Sequence, residues 1–415
     1  MDEVWDPSER WSDGRRAAWQ NEWLRKILIA AARVSPVVRG HLTGAGIEPA
    51  RLSLETLSAL PVFRKDSLPG LQREAPPFGG WLGVPIGHLA RVFRSPGPIF
   101  DPEARQEDYW HFAPALYAAG IRQGDLTLNT LSYHLTPAGH MMDAALRAMA
   151  CPVVPAGPGS TETQVRLLAE LPIAAYIGTP SFLVTLLEAA AQAGSPHHVR
   201  VGFVIAEMLT ESLRGRLETD FGVTVGQGYG TADLGSIAFE CSAKTGMHVQ
   251  NEVIVEVLDP QTSEACGPGT PGEVVVTALN PTYPLVRFGT GDLAVWADGP
   301  CACGRTSPRL ARILGRIGDA VKVRGMFLHP AEVDLAVGRH PEVARYQVIV
   351  TRAAHNDAML LRAELRTGIA APSDLADRIA KTLAEVVRLR GEVEVVPAGT
   401  LAPDAKRIVD QRTWE

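Results

Sequence analysis

The spacing of apolar positions changes character twice along the chain. Over 19–34 they recur at helical intervals, and 54–60 repeats that pattern before Pro61, so the first ninety residues predict helical and irregular structure. From about 101 to 228 short apolar runs alternate with amphipathic stretches. Asp101-Pro102 offers a cap and a first-turn proline for a helix that stops near Gly120. Strands are predicted at 126–131, 152–154, 174–177 and 201–205, and a helix over 141–149. Thr161 and Gln164 stand at capping-box spacing for a further helix. Strands alternating with helices predict a largely parallel sheet under helical cover. Beyond 250 the texture turns β-rich, with strands at 253–258, 273–279 and 285–295 between Gly/Pro turns. The last hundred residues predict a small α+β unit, with strands near 321–323, 346–350 and 393–396 and a helix over 373–389. Glycine and polar residues break the pattern at 315–318, which divides the chain into a large N-terminal domain, 1–317, and a small C-terminal domain, 318–415.

Composition narrows the class. The 415 residues are 46% hydrophobic and 21% charged, enough for full cores and too apolar for global disorder. Glycine and proline supply 39 and 31 residues without a periodic repeat, which implies many tight turns. With 40 basic against 46 acidic side chains and no basic tract interleaved with aromatics, a nucleic-acid partner is not expected. No apolar run approaches the roughly 18 to 20 residues of a membrane span. The acidic opening MDEVWDPSER is unlike a secretory signal, so a cytoplasmic protein is expected. Five cysteines in so long a chain do not form a disulfide scaffold.

Three constellations could carry chemistry. Cys241 and His248 in one segment, with Cys301-Ala302-Cys303 in another, have the ligand types that tetrahedral zinc prefers, and Gly304 permits the turn around a metal. Four protein ligands leave no open position, so such a zinc would be structural; the plainer alternative is three ordinary thiols and a surface histidine. Gly228-Tyr229-Gly230-Thr231-Ala232-Asp233 follows a predicted strand, where glycines beside an aromatic let backbone approach a ligand while the ring stacks on it; a turn with a buried tyrosine would read the same. In Arg287-Phe288-Gly289-Thr290-Gly291-Asp292 an aspartate between turns could accept two ribose hydroxyls or simply cap its turn.

In order and spacing, Trp5-Asp6-Pro7, Leu60-Pro61-Val62, 229–233, YPLVRFGTGD, CACGRT and GRIGDAVKVRG resemble the phenylacetate–coenzyme A ligase family of adenylate-forming enzymes, over nearly the whole chain. The resemblance implies an α/β fold: a large N-terminal domain of mostly parallel sheets covered by helices plus a β-rich subdomain, and a small mobile C-terminal lid. It implies ATP-dependent activation of a carboxylic acid to an acyl-adenylate, then transfer to coenzyme A or another nucleophile with release of AMP and pyrophosphate. Magnesium is the implied cation, and the zinc ligands match those of part of the family. Residue by residue, Tyr229 would stack on adenine with Ala206, Glu207, Gly230 and Thr231 along the pocket. Asp292 would hold the ribose hydroxyls, Arg316 would reach the ribose or α-phosphate, and Asp233 would be the magnesium-linked carboxylate. Gly318 and Asp319 would form the hinge, and Lys406 would be the lysine that meets the reacting carboxylate; a solvated tail lysine is its bland alternative. Tyr133, His134 and Thr136 would lie in the acyl wall, with Phe203 available to line a flat slot, which favours an aromatic benzoate- or arylacetate-type acid. A histidine satisfied in a helix-entry turn is the alternative for His134. Partners would be the small acid and its acceptor, with a homodimer possible.

Departures from the family pattern open a second reading. The family's phosphate loop is rich in Ser, Thr and Gly and ends in lysine, whereas here Arg94-Ser95-Pro96-Gly97-Pro98 carries two prolines that donate no N–H. Ala232 replaces the hydroxyl expected before the magnesium carboxylate, and Ala405 replaces the glycine before Lys406. Either Arg94 and Ser95 serve a variant loop, or the chain is a repurposed relative that binds nucleotide or acyl ligand, or transfers an acyl group activated elsewhere, without adenylating.

Overall fold

The computed structural model describes residues 3–412 apart from 96, 318–320, 325, 329, 354–355 and 403–404. The expected hinge residues Gly318 and Asp319 therefore lie outside the described residues. The chain divides into two compact units, Met1–Leu209 with Arg214–Gly315, and Arg316–Glu415 with the short stretch Thr210–Leu213.

The larger unit is organised by a twelve-stranded sheet. Val153–Pro155, Thr127–Asn129, Ala175–Gly178, Val201–Val204 and the first half of Thr224–Thr231 pair in parallel. The strand Val201–Val204 is buried at every position, as a strand covered on both faces must be, and this is why it reads as an unbroken apolar run. Helices Ala138–Ala148, Thr161–Glu170 and Pro180–Gln192 connect these strands. The second half of Thr224–Thr231 pairs antiparallel with Gly235–Glu240, so one strand joins the parallel half of the sheet to its antiparallel half. The antiparallel half continues through Met247–Val249, Arg309–Arg316, Phe288–Trp296, Gly272–Ala278 and Val253–Leu258. A separate hairpin, Leu89–Ser95 with Ile99–Ala104, is held by the Gln72 amide, which accepts from Phe100 N at 2.7 Å and donates to Phe100 O at 2.9 Å.

The smaller unit has a four-stranded sheet in the order Glu392–Val396, Asn356–Leu365, Val343–Ala353, Ile408–Asp410. Leu375, Ile379, Leu383 and Val387 line one face of the helix Leu375–Val387 at four-residue spacing and enter that unit's core. No helix among the described residues is long and apolar enough to cross a membrane.

Three local expectations are corrected. Asp101 and Pro102 lie inside the strand Ile99–Ala104, because pairing with Leu89–Ser95 overrides a local capping signal. The helix begins at Ala113 and ends as expected at Gly120, which takes the left-handed conformation; Asp108 instead caps its start, accepting from Phe112 N and Ala113 N at 2.9 Å each. The capping box at Thr161 does not form: Gln164 donates to the carbonyls of Gly157 and Gly159, bracing the preceding turn. The 54–60 segment yields only the 3₁₀ turn Leu57–Ala59.

Burial pushes the Asp108 carboxyl up to about 6 against the two backbone donors that favour its anion. The folded state therefore binds this proton more tightly than the unfolded chain. The stabilisation it gives is complete below about pH 4 and is lost as pH rises through about 6, a change of about 3 kcal/mol. Urea unfolding of wild type and Asp108→Asn from pH 4 to 7 should show the wild type losing ground to the variant by that order. A constant difference between them would refute it.

Candidate functional site

Tyr229 and Asp292 meet although three strands separate theirs in the sheet order. The half-buried Tyr229 hydroxyl donates to Asp292 Oδ2 at 2.8 Å and lies 3.2 Å from Thr290 Oγ1. The contact requires this part of the sheet to curl, bringing an aromatic face and a carboxylate together. The flanking glycines serve protein packing as well: a Cβ on Gly228 would meet Phe203 at 2.4 Å, and one on Gly230 would meet Gly235 O at 2.4 Å. The missing Cβ atoms thus make room for the protein's own packing at both glycines. Thr231 Oγ1 accepts from Leu234 N at 3.3 Å. Ala206, just past the strand Val201–Val204, adopts a left-handed φ of 76°, and Glu207 Oε2 accepts from Ser181 Oγ at 2.6 Å.

Asp233 follows at the end of the same segment, its side chain fully buried and ion-paired through Oδ2 with Lys65. Among the described residues its Oδ1 has no hydrogen-bond partner. Asp101 belongs to the same electrostatic cluster and is itself fully buried. Ser95 ends the hairpin's first strand, and its hydroxyl donates to Ile99 O at 3.3 Å, closing the hairpin. Sequence marks Asp101 only as a helix cap and Lys65 not at all, since Lys65 stands 168 residues from its partner.

The predicted acyl wall is only partly inward. Tyr133 is half-buried and accepts from Asn129 Nδ2 at 2.8 Å; burial, with Asp143 nearby, raises its phenol. Thr136 Oγ1 donates to Ser132 O at 3.3 Å. His134 is exposed, and Phe203 is 1% exposed in the core, edge-on to Phe112. The histidine placed among the aromatics is His140, in the first turn of Ala138–Ala148, 5.1 Å from Tyr133 and 5.2 Å from Phe93 by ring centroids. Burial, then Arg91, lowers its pKa, favouring the neutral ring. An apolar-helix histidine carries no sequence signal distinguishing this role.

Cys241, His248, Cys301 and Cys303 converge, with their ligand atoms all within 4.8 Å of one another. Cys241 Sγ lies 3.6 Å from Cys301 Sγ, and Cys303 Sγ lies 3.3 Å from His248 Nε2. A tetrahedron with Zn–S near 2.3 Å and Zn–N near 2.1 Å has edges of about 3.6 to 3.8 Å, so the sulfur–sulfur edge is close to it and the sulfur–nitrogen edge somewhat shorter. His248 extends from the strand Met247–Val249, with Ser307 Oγ 3.4 Å from Nδ1, the outer partner that orients a ligating imidazole. Arg305 N donates to Cys303 Sγ at 3.4 Å, and Gly304 turns the loop with a φ of 86°. Burial, then Arg305, lowers the His248 pKa to about 4, keeping the ring neutral as metal ligation needs.

In the smaller unit Lys406 is exposed just before the strand Ile408–Asp410, and its carbonyl accepts from Gln347 Nε2 at 3.1 Å. Arg316 is half-buried at the end of Arg309–Arg316.

Comparison with known proteins places the chain in a family. The family described as AMP-binding enzyme matches residues 108–280, and the AMP-binding enzyme C-terminal domain matches 325–412. The phenylacetate–coenzyme A ligase of Thermus thermophilus is 30% identical over 95% of this chain and 96% of its own. That of Aromatoleum evansii is 28% identical over 99% and 98%. A crystal structure of 2-hydroxyisobutyryl-CoA ligase with 2-HIB-AMP and CoA in the thioesterification state has a TM-score of 0.91 at 26% identity, covering 99% of this chain and 92% of that one. The chain belongs to the AMP-binding enzymes, in the phenylacetate–coenzyme A ligase group, and is an AMP-forming acid–thiol ligase.

Proposed function

We propose that the protein activates an aromatic carboxylic acid, of benzoate or arylacetate type, and passes it to coenzyme A. The observation carrying this reading is the full-length relationship to two ligases named for phenylacetate. The aromatic group Tyr133, His140 and Phe93 supports it locally. A carboxylate oxygen attacks the α-phosphorus of ATP and pyrophosphate leaves; the thiolate of coenzyme A then attacks the acyl carbon and AMP leaves. Tyr229 stacks on adenine beside Ala206, Glu207, Gly230 and Thr231, while Asp292 holds the ribose hydroxyls and Arg316 reaches toward the α-phosphate. Ser95 and its hairpin face the phosphates, and Tyr133, His134, Thr136 and Phe203 form or back the acyl wall. The unpartnered, buried Asp233 Oδ1 suits a magnesium ligand. Magnesium bound there would neutralise phosphate charge. A structural zinc on Cys241, His248, Cys301 and Cys303 completes the reading.

ATP–pyrophosphate exchange across an acid panel tests the substrate class. Benzoates or arylacetates should support exchange about tenfold or more above 2-hydroxyisobutyrate, since one well-placed apolar contact set is worth that much. Preference for 2-hydroxyisobutyrate would favour the second reading, a small hydroxy acid, which the structural neighbour's name suggests.

Asp292→Ala should weaken AMP and ATP binding with little change in fold. Losing charge-assisted bonds to the ribose costs roughly 1.5 to 3 kcal/mol, about ten- to 150-fold in affinity. Calorimetric titration with AMP reads it directly; unchanged affinity would remove Asp292 from the pocket.

A further inference from the structure

Arg309 is buried beside the four candidate metal ligands without being one of them. It opens the strand Arg309–Arg316 and stands opposite His248 in the antiparallel pairing with Met247–Val249, so both side chains leave the sheet on one face. Its guanidinium bridges the two segments that carry the ligands. Nη1 donates to Thr245 O and, at 2.6 Å, to Thr245 Oγ1, between Cys241 and His248 in the chain. Nη2 donates to Asp298 O and Gly299 O at 3.1 Å each, just before Cys301. An arginine only donates, so Thr245 Oγ1 accepts from it and keeps its own proton for Cys301 Sγ, 3.7 Å away. No carboxylate among the described residues pairs with Arg309, whereas the neighbouring buried Arg305 is matched by Glu9 at 2.6 Å. A buried charge is costly unless it is matched, so a guanidinium held here by carbonyl and hydroxyl oxygens calls for an anion.

We propose that Arg309 is the charge-matching positioning residue of the zinc centre. This rests on the reading of Cys241, His248, Cys301 and Cys303 as zinc ligands. Three cysteine thiolates and a neutral imidazole around a divalent ion leave one net negative charge in a largely buried place. One guanidinium, directly across the strand pair from His248, matches it. The same group sets the span between the ligand-bearing segments, because it grips Thr245 on one side and the 298–299 turn on the other. Thr245 carries the grip one bond further, aiming its hydroxyl at Cys301, the one ligand of the four that is only half-buried. Arg309 therefore acts on the metal through its ligands: it fixes their spacing and makes the charged, metal-loaded form cheaper to bury.

Zinc release to a chromogenic pyridylazo-resorcinol chelator tests this without turnover. Arg309→Gln should release zinc about tenfold faster than wild type or more, the usual scale for losing a group that orients metal ligands. Arg309→Lys keeps the charge and loses the fork, so it should release zinc only about threefold faster. Equal acceleration in both variants would reduce Arg309 to its hydrogen bonds and overturn the charge match. Melting separates a metal role from a merely structural one. A tenfold loss of zinc affinity should lower the midpoint of zinc-loaded Arg309→Gln by about 3 to 6 °C beyond any shift seen after EDTA treatment. Shifts of the same size with and without zinc would show that Arg309 supports the fold alone, and the proposal fails. Should Arg309→Gln not fold by circular dichroism, the exposed Thr245→Val decides: release about threefold faster is expected, and an unchanged rate rejects the proposal. Failure of the underlying reading looks different, because wild type itself would then bind no zinc before any substitution is made, and the proposal falls with it.

Discussion

Lys406→Ala is expected to lower acyl-adenylate formation by about 100- to 1,000-fold while leaving acid and ATP affinities nearly intact. Negative charge converges between carboxylate and α-phosphate during the first step, and a cation delivered there acts mainly on the transition state, so kcat falls far more than KM rises. The second step needs no such cation: the thiolate attacks the acyl carbon and AMP departs. The variant should therefore still convert supplied acyl-adenylate and coenzyme A to thioester at close to the wild-type rate. The side chain is exposed and the backbone carbonyl is held by Gln347, so alanine should not disturb the fold. ATP–pyrophosphate exchange and single-turnover thioester formation separate the two steps. Full exchange in the variant would return Lys406 to the surface.

The second large effect concerns zinc. Wild-type protein purified without chelator should carry one equivalent, and Cys303→Ser close to none. In the smallest zinc domains the metal supplies on the order of 10 kcal/mol to folding. On a unit with its own large core, a third of that would lower the melting midpoint by about 6 to 12 °C. The loss should concern the loop carrying Cys301 and Cys303 and its tie to Cys241 and His248. EDTA should bring wild type toward the variant's midpoint. Absence of zinc by elemental analysis, with a midpoint unmoved by the substitution, would leave four side chains packed for their own sake.

Which parts of this architecture the chain declares follows from how local each signal is. The strands Val201–Val204, Ala175–Gly178 and Val253–Leu258 are legible because burial on one or both faces is written into consecutive residues. The helix Leu375–Val387 is legible because its core face repeats every four residues. Asp101 misleads for the same reason: Asp-Pro is a local capping signal, whereas its strand exists through pairing with Phe93 across the hairpin. At the candidate site, residue types and order point to Tyr229, Asp292 and the four metal-type ligands individually. Their meeting is not local, for Tyr229 and Asp292 stand 63 residues apart. Lys65 against Asp233, and Asp101 beside them, left no trace in periodicity at all, because a buried ion pair is a property of the assembled core. Sequence does not distinguish His140 from His134, because both lie near one helix start and packing against Phe93 and Tyr133 is what separates them.

Acid activation through an acyl-adenylate leaves an atomic record. The acid is prepared with both carboxylate oxygens as ¹⁸O and incubated with ATP, magnesium and coenzyme A, and the AMP is analysed by mass spectrometry. The carboxylate oxygen that attacks the α-phosphorus stays on phosphorus when the thiolate expels AMP, so the account predicts one ¹⁸O in each AMP released and one retained in the thioester carbonyl. Unlabelled AMP, or label appearing in phosphate with ADP as the nucleotide product, would contradict it.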